Sequence, residues 1–151
     1  MHNTDNIERI AGALVGLIGY LNSPQRDDLL LREAGVVLDR ALFPLLVRLG
    51  VLGPLSVGDL AAQAGRDHTT ISRQLARLEA LGLISRESGG GDRRVRAAAL
   101  TDAGRAVVGD ITAARRRLLS RALGDWPDHD LALLATLNQR FLDALVTAAE
   151  G

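Results

Sequence analysis

The chain has 151 residues, enough for one domain or for one domain with an oligomerisation arm. Its 47% hydrophobic content excludes disorder over most of the length, and its 3% aromatic content favours a helical core of Leu, Val, Ile and Ala over a β-sandwich. The 18 basic residues, all of them Arg, balance 18 acidic residues, so a site for nucleic acid must be a local patch, and the absence of Cys excludes disulfides and thiolate chemistry.

The longest uncharged apolar run extends from Ile10 to Leu21. It is shorter than the roughly 20 residues that span a bilayer, and acidic Asp5 and Glu8, rather than a basic segment, precede it. We therefore expect a soluble, cytoplasmic protein with no membrane partner.

The N-terminal part of the chain is predicted to be helical. A first helix with apolar residues three or four positions apart ends near Asn22. Its stripe consists of Ile7, Ile10, Leu14, Leu17 and Leu21. Ser23 and Pro24 then have the residue types of an N-cap and an N1 position, which makes a second helix over 25–35, broken at Gly35, plausible.

The next segment, Val36 to Leu49, is again apolar at helical spacing. Pro44 must lie in the first turn of its helix or kink it, because proline removes a backbone donor. Gly53 and Pro54 form a stop signal after this segment.

Two further helices, joined by a tight turn, are predicted next. Ser56 to Asp59 has the form of a capping box and opens a short helix through Ala64, which Gly65 closes. Asp67 is a good N-cap for the second helix, which ends at Gly82. Its apolar stripe is Ile71, Leu75, Leu78 and Leu81. Together the two helices have the outline of a helix-turn-helix.

Two short strands follow, over Leu83–Glu87 and Val95–Leu100, joined by a glycine-rich stretch that is typical of a hairpin. Thr101 caps a long helix, and Trp126-Pro127 divides it from a final helix. A helix-turn-helix followed by a hairpin is a winged helix, a unit that places its second helix in the DNA major groove. The predicted fold is mainly α, with a β-hairpin wing.

The second helix of the helix-turn-helix has a polar face with almost no carboxylates opposite its apolar stripe. Arg binds guanine in a bidentate way, Gln reads adenine, and Ser or Thr takes a base or a phosphate. The alternative is a solvated helix face without a partner. The residues of this face are His68, Thr69, Thr70, Ser72, Arg73, Gln74 and Arg77.

The hairpin tip is the second candidate contact with DNA. Arg93, Arg94 and Arg96 follow three glycines, and their charge suits a narrow minor groove, with Asp92 restraining one guanidinium. The alternative is a flexible turn with solubilising charges. From Arg66 to Arg96 there are seven arginines against four acids, which is a local positive patch on a neutral chain.

Three segments resemble the multiple antibiotic resistance regulator (MarR) family. Residues 92–104 match its wing signature D-x-R-x-x-x-x-x-L-T-x-x-G, and residues 53–61 and 70–84 resemble its two helix-turn-helix segments in their usual order. Two departures are Pro44, in a helix usually without proline, and the triple glycine of the wing. Because Cys is absent, the chain is not one of the family's cysteine-based peroxide sensors.

The resemblance implies a homodimer in which each winged helix reads half of an inverted repeat. It places Ser72 and Arg73 on the recognition helix and Arg94, oriented by Asp92, in the minor groove. It further implies a single domain over 1–151, in which about 36–104 form the winged helix and about 5–22 and 105–150 form the dimerisation helices. A small aromatic or phenolic effector is also suggested, with no residue to identify its pocket.

The terminal helices support a dimer independently of the family, because a winged-helix centre would bury neither of their apolar stripes. An intramolecular terminal bundle is the alternative. The residues expected at the dimer interface are Ile7, Ile10, Leu14, Leu17, Leu134, Leu137, Phe141 and Leu145. For Arg115–Arg117 and Arg121 we expect a solvated face, and contacts with phosphates or with acids of the other subunit are the alternative.

Catalysis finds little support in the sequence. A cluster of acids around His129, from Asp125 to Asp130, has the chemistry of metal ligands but also that of residues complementing a helix dipole. No nucleophile elbow, zinc-protease, phosphate-loop or dinucleotide motif is present. We expect a DNA-binding regulator, most often a repressor in this family, with no enzyme activity, cofactor or metal. The alternatives are a winged-helix module for protein–protein interaction and a small-molecule carrier.

Overall fold

A computed structural model of the chain describes residues 2–88 and 96–151. Within them the helices are α1 (His2–Leu21), α2 (Pro24–Ala34), α3 (Phe43–Leu52), α4 (Val57–Ala64), α5 (His68–Ala80), α6 (Asp102–Ala122) and α7 (Asp128–Ala149). The strands are β1 (Ile84–Ser88) and β2 (Arg96–Leu100). The chain forms two compact units, Met1–Arg115 and Arg116–Gly151. No helix in the described part of the chain is long and apolar enough to cross a membrane.

Local capping starts the helices where the sequence predicts. Ser23 Oγ accepts a hydrogen bond from the Arg26 N–H at 3.3 Å, and Ser56 Oγ accepts one from the Asp59 N–H at 3.1 Å. Each hydroxyl satisfies a backbone donor that the first helical turn leaves without a partner. The predicted N-caps of α2 and α4 are therefore confirmed.

The segment before α3 departs from the prediction. Val36 to Leu49 has helical spacing throughout, but the helix begins only at Phe43. Ahead of it, Asp39 Oδ1 accepts the Ala41 N–H at 2.9 Å, a local bond that competes with helix formation. Of the two placements that the sequence allowed for Pro44, the structure shows the first turn of α3, where its missing N–H costs nothing.

The core of the winged helix lies among α3, α4, α5 and the hairpin. β1 pairs with β2 in antiparallel register, from Ile84 opposite Leu100 to Ser88 opposite Arg96. Leu55 adds an isolated bridge to Ala98. The Leu55 N–H donates to the Ala98 carbonyl, with 3.1 Å between N and O, and the Ala98 N–H donates to the Leu55 carbonyl, with 2.7 Å between N and O. Core side chains include Leu45, Leu46, Leu49, Leu60, Ile71, Leu75, Leu78 and Ile84. The hairpin is thus fastened to the α3–α4 connection as well as to α5.

The two terminal helices, α1 and α7, bury very little of their apolar surface within the chain. α7 has no fully buried residue, and none is found in α1 among residues 3–21. Of the residues predicted at a dimer interface, Ile7, Ile10, Leu17, Leu137 and Leu145 are exposed. Leu14, Leu134 and Phe141 are half-buried.

The residues of the L-T-x-x-G signature connect the hairpin to α6. Thr101 Oγ1 donates to the Gly82 carbonyl at 2.6 Å and accepts the Gly104 N–H at 3.1 Å, so one hydroxyl caps α6 and ties it to the end of α5. Gly104 is buried, and a Cβ built on it would overlap the carbonyl oxygen of Leu83. Glycine is required here by close backbone contact.

We expect Gly104→Ala to destabilise the protein by about 1–3 kcal/mol, because either the start of α6 or the Leu83 carbonyl must move. Gly109→Ala is the matched control in the same helix, where a Cβ meets nothing within 4 Å. That change should stabilise the protein by up to about 1 kcal/mol through helix propensity. Urea unfolding of both variants measures the difference, and equal effects would contradict the close contact.

Candidate nucleic-acid interface

The turn between α4 and α5 is built from local signals. Gly65 ends α4 in the left-handed region, with φ of 63°, and Asp67 begins α5 as its N-cap. Asp67 Oδ1 accepts the Thr70 N–H at 2.8 Å, and its Oδ2 accepts the Thr70 hydroxyl at 2.7 Å. The predicted helix-turn-helix, including both of its caps, is confirmed.

Burial of the apolar stripe fixes the rotation of α5 about its axis. Ile71, Leu75 and Leu78 are each 0% exposed. The prediction is wrong for Leu81, which lies just beyond the end of α5 and is 58% exposed. Every residue on the opposite face therefore points away from the core. His68, Thr69, Arg73 and Arg77 are exposed, and Thr70, Ser72 and Gln74 are half-buried.

The Asp67 cap restricts what Thr70 can do. Its N–H, and then its hydroxyl, lower the pKa of the Asp67 carboxyl, with a smaller contribution from the charge of Arg73. Because the Thr70 hydroxyl donates to this carboxylate, only its lone pairs remain for a further partner. Thr70 is thus first of all part of the helix cap.

Gln74 and Arg77 have intramolecular partners that the sequence does not reveal. Arg66 Nη1 donates to Gln74 Oε1 at 3.0 Å and to the Ala41 carbonyl at 3.4 Å. Gln74 can still donate through Nε2, and its carbonyl oxygen keeps one lone pair. Bidentate reading of adenine, which needs both groups, must share that oxygen with Arg66.

Arg77 forms a salt bridge with Asp39, and Nη2 lies 3.0 Å from Oδ2. The Ala41 N–H and then Arg77 lower the pKa of the Asp39 carboxyl. Two side chains thus connect the segment Asp39–Ala41 to the helix-turn-helix, Arg77 from α5 and Arg66 from the turn before it. No sequence signal marks the Asp39–Arg77 pair, because its members are 38 residues apart.

The remaining predicted DNA contacts divide into two groups. Arg73 forms no salt bridge within residues 2–88 and 96–151, and its guanidinium lies on the exposed face of α5 together with His68 and Thr69. In the wing, Asp92, Arg93 and Arg94 lie outside the described residues, and Arg96 pairs with Ser88 at the end of the hairpin.

The acidic cluster around His129 gains no support as a metal site. Among the described residues, no group of three or more His, Asp or Glu side chains has an arrangement that could hold a metal ion. Asp128 and Asp130 lie instead in the first turn of α7, where carboxylates complement the helix dipole.

Two helices, α4 and α5, are joined by a tight turn, and the polar side of α5 faces solvent. An antiparallel hairpin follows directly after α5. This arrangement is the winged helix-turn-helix, the architecture of a large class of DNA-binding proteins.

Comparison with known proteins specifies the class further. The model of the MarR family matches residues 38–95. YxaD of Bacillus subtilis, an HTH-type transcriptional regulator, is 32% identical over 109 residues, which are 72% of this chain and 76% of that protein. The chain belongs to the MarR family of transcriptional regulators, as its motifs predict.

Solved structures show the same fold over nearly the whole chain. A MarR family protein from Bacillus stearothermophilus is 23% identical with a TM-score of 0.75, and the match covers 92% of this chain and 97% of that one. The transcriptional regulator Tm0710 from Thermotoga maritima is 20% identical with a TM-score of 0.70, over 97% and 99% of the two chains. The mainly α winged-helix fold is therefore confirmed.

We expect the Asp67 carboxylate to make stability depend on pH in the acid range. Its pKa is lower in the folded than in the unfolded protein, so its contribution is complete above the unfolded value of about 4 and is lost as the pH falls through the folded value. Asp67→Asn keeps a cap acceptor but does not titrate. Its free energy of unfolding should therefore fall less steeply below about pH 4 than that of the wild type.

Urea unfolding across the acid range measures this slope. Asp67→Ala is the control, because it removes the cap at every pH and should already be less stable at neutral pH. Parallel pH profiles for the wild type and Asp67→Asn would contradict the role of the charge.

Proposed function

We propose that this regulator binds double-stranded DNA sequence-specifically, as a homodimer on an inverted-repeat operator, with α5 as its recognition helix. The observation that carries the proposal is the division of α5 into two faces. Ile71, Leu75 and Leu78 are completely buried, while the opposite face presents hydroxyl, amide, imidazole and guanidinium groups without a carboxylate between His68 and Arg77. Such a face suits the edges of bases and the phosphates of a major groove.

Within this face we assign the contacts by the donor and acceptor groups that the intramolecular bonds of each side chain leave available. Arg73 is the candidate for a bidentate contact with guanine O6 and N7, since it has no intramolecular salt bridge in the part of the chain described. His68, Thr69 and Ser72 are candidates for phosphate or base contacts. Gln74 donates through Nε2 with its carbonyl held by Arg66, and Arg77 positions α5 through Asp39.

The wing completes the proposed interface. By resemblance to the family, Arg94 enters the minor groove and Asp92 orients it, while Arg93 and Arg96 add positive charge. A guanidinium in a narrow minor groove senses groove width and potential, both of which depend on A·T content.

The dimer is supported by the exposed apolar surfaces of α1 and α7. Large apolar side chains left in water on two long helices need a partner, and a second copy of the chain supplies the same surfaces by symmetry. We further propose that the regulator is a repressor that responds to a small aromatic or phenolic effector, as the resemblance implies.

We expect Arg73→Ala to weaken binding to a selected operator by roughly 1–3 kcal/mol per half-site and to relax preference at one base position, because a bidentate base contact is lost. The operator is first obtained by selecting bound genomic fragments, and affinities are then measured by fluorescence anisotropy at several salt concentrations. Exposed Arg32 on α2, outside the helix-turn-helix, is the control, and Arg32→Ala should bind as the wild type does.

Two other results would change the assignment. A uniform loss over all sequences, with a salt slope shallower by about one per subunit, would make Arg73 a phosphate contact. Absence of any salt-dependent binding to duplex DNA would instead favour the alternative function, a winged-helix module for protein–protein interaction.

We expect light scattering at micromolar concentration to give about twice the chain mass of 16.1 kDa. Leu137→Glu places a charge in the proposed interface and should raise the dimer dissociation constant at least about tenfold. Val51→Glu, at a position 77% exposed on α3, is the control and should leave the mass unchanged. A Leu137→Glu protein that dimerises as tightly as the wild type would contradict this interface.

A further inference from the structure

A four-residue turn, Asp39–Leu42, leads into α3 and is fixed at both ends. Leu42 is buried in the core of the winged helix, and Leu38, the residue before the turn, packs against the same core. The Leu42 N–H donates to the Asp39 carbonyl at 2.9 Å, and the Ala41 N–H donates to Asp39 Oδ1 at 2.9 Å. These two bonds order the turn and leave Oδ2 of Asp39 for another partner.

Two guanidinium groups, one before α5 and one near its end, bond to this turn. Arg77, in the last turn of α5, places Nη2 3.0 Å from Asp39 Oδ2. Arg66, which precedes the N-cap of α5, donates to the Ala41 carbonyl at 3.4 Å. Because the turn is already ordered, holding Arg77 there costs less conformational entropy than pairing two freely moving side chains. The turn is therefore a prepared anchor for cations beside α5.

Arg77 and Arg73 are neighbours on α5 that differ in their partners. They are four positions apart, which places their side chains on the same face, one helical turn from each other. The Arg77 side chain is 55% exposed and has a carboxylate partner. Arg73 is exposed and forms no salt bridge within residues 2–88 and 96–151. An Arg77 released from Asp39 would thus be a second available guanidinium on the face that we propose to read bases.

A released Arg77 would lower the discrimination between DNA sequences. Contacts of a guanidinium with phosphates carry no sequence information, but they fix the register and orientation of a protein on the duplex. A phosphate contact one turn from Arg73 would stabilise complexes with any sequence, including those in which Arg73 meets no guanine. A complex with the operator gains less, because base contacts already set its placement.

We propose that Asp39 is a specificity-determining positioning residue, which holds Arg77 on its own chain and keeps this guanidinium from the phosphates of unrelated DNA. The assignment rests on the proposed function, because it takes α5 as the recognition helix. It gives a carboxylate outside the helix-turn-helix a role in discrimination. Charge alone predicts a different result, since losing an acid near DNA strengthens binding to all sequences by the same factor.

The test measures binding to the selected operator and to random duplex DNA by fluorescence anisotropy at several salt concentrations. Asp39→Asn keeps an oxygen for the Ala41 N–H but loses the charge and the acceptor that hold Arg77. Its preference for the operator over random duplex should fall at least about threefold. On random duplex its salt slope should be steeper by about one per subunit, because one more phosphate is neutralised.

Two matched variants identify the cause. Asp59→Asn removes an exposed carboxylate of α4 that forms no salt bridge in the described parts of the chain, 2–88 and 96–151. It should change the affinities for operator and random duplex by the same factor. Adding Arg77→Met to Asp39→Asn should return the salt slope on random duplex to the wild-type value, since the released guanidinium is gone. Arg77→Met alone should keep that slope.

An unchanged operator preference in Asp39→Asn would overturn the proposal. A shallower salt slope in Arg77→Met alone would also overturn it, because Arg77 would then contact a phosphate despite Asp39. Absence of salt-dependent DNA binding by the wild type would refute the proposed function and this inference together, whereas the first two results leave the proposed function standing. Thermal unfolding of each variant checks that it is folded, and all three substituted positions are exposed.

Discussion

Burial of one apolar stripe on α5 is the constraint on which the rest of the winged helix depends. Ile71, Leu75 and Leu78 are removed from water completely, and each such burial contributes about 1.5–3 kcal/mol. An exposed salt bridge such as that of Arg77 with Asp39 contributes much less, because water screens its charges. Hydrophobic burial therefore sets the rotation of α5 about its axis. The polar contacts only fix the positions of side chains on the face that this burial has turned toward solvent.

The residues on the polar face of α5 also differ in how many of their polar groups are available to a partner. Some side chains bond to neighbouring elements of their own chain, as Gln74 does with Arg66 and Arg77 with Asp39. Arg73, on the exposed side of the helix, has no such salt bridge within the described residues. Some polar residues of α5 thus orient the helix, and others remain available to a partner.

The helices at the two ends of the chain differ from α5, because they leave most of their apolar residues in contact with water. In α1 and α7 apolar residues recur at helical spacing, yet among the described residues they stay half-buried or exposed. Exposed apolar area on this scale destabilises a chain in isolation and stabilises an association.

The sequence alone determined the features that depend on near neighbours. The caps at Ser23, Ser56 and Asp67 each bond a residue three positions later, and the α5 stripe follows from its spacing, so composition and order suffice to predict them. Only the tertiary structure decided contacts between distant residues. It paired Asp39 with Arg77 and placed the Leu83 carbonyl against Gly104. Such contacts depend on where packing brings the backbone, and no local pattern encodes that position.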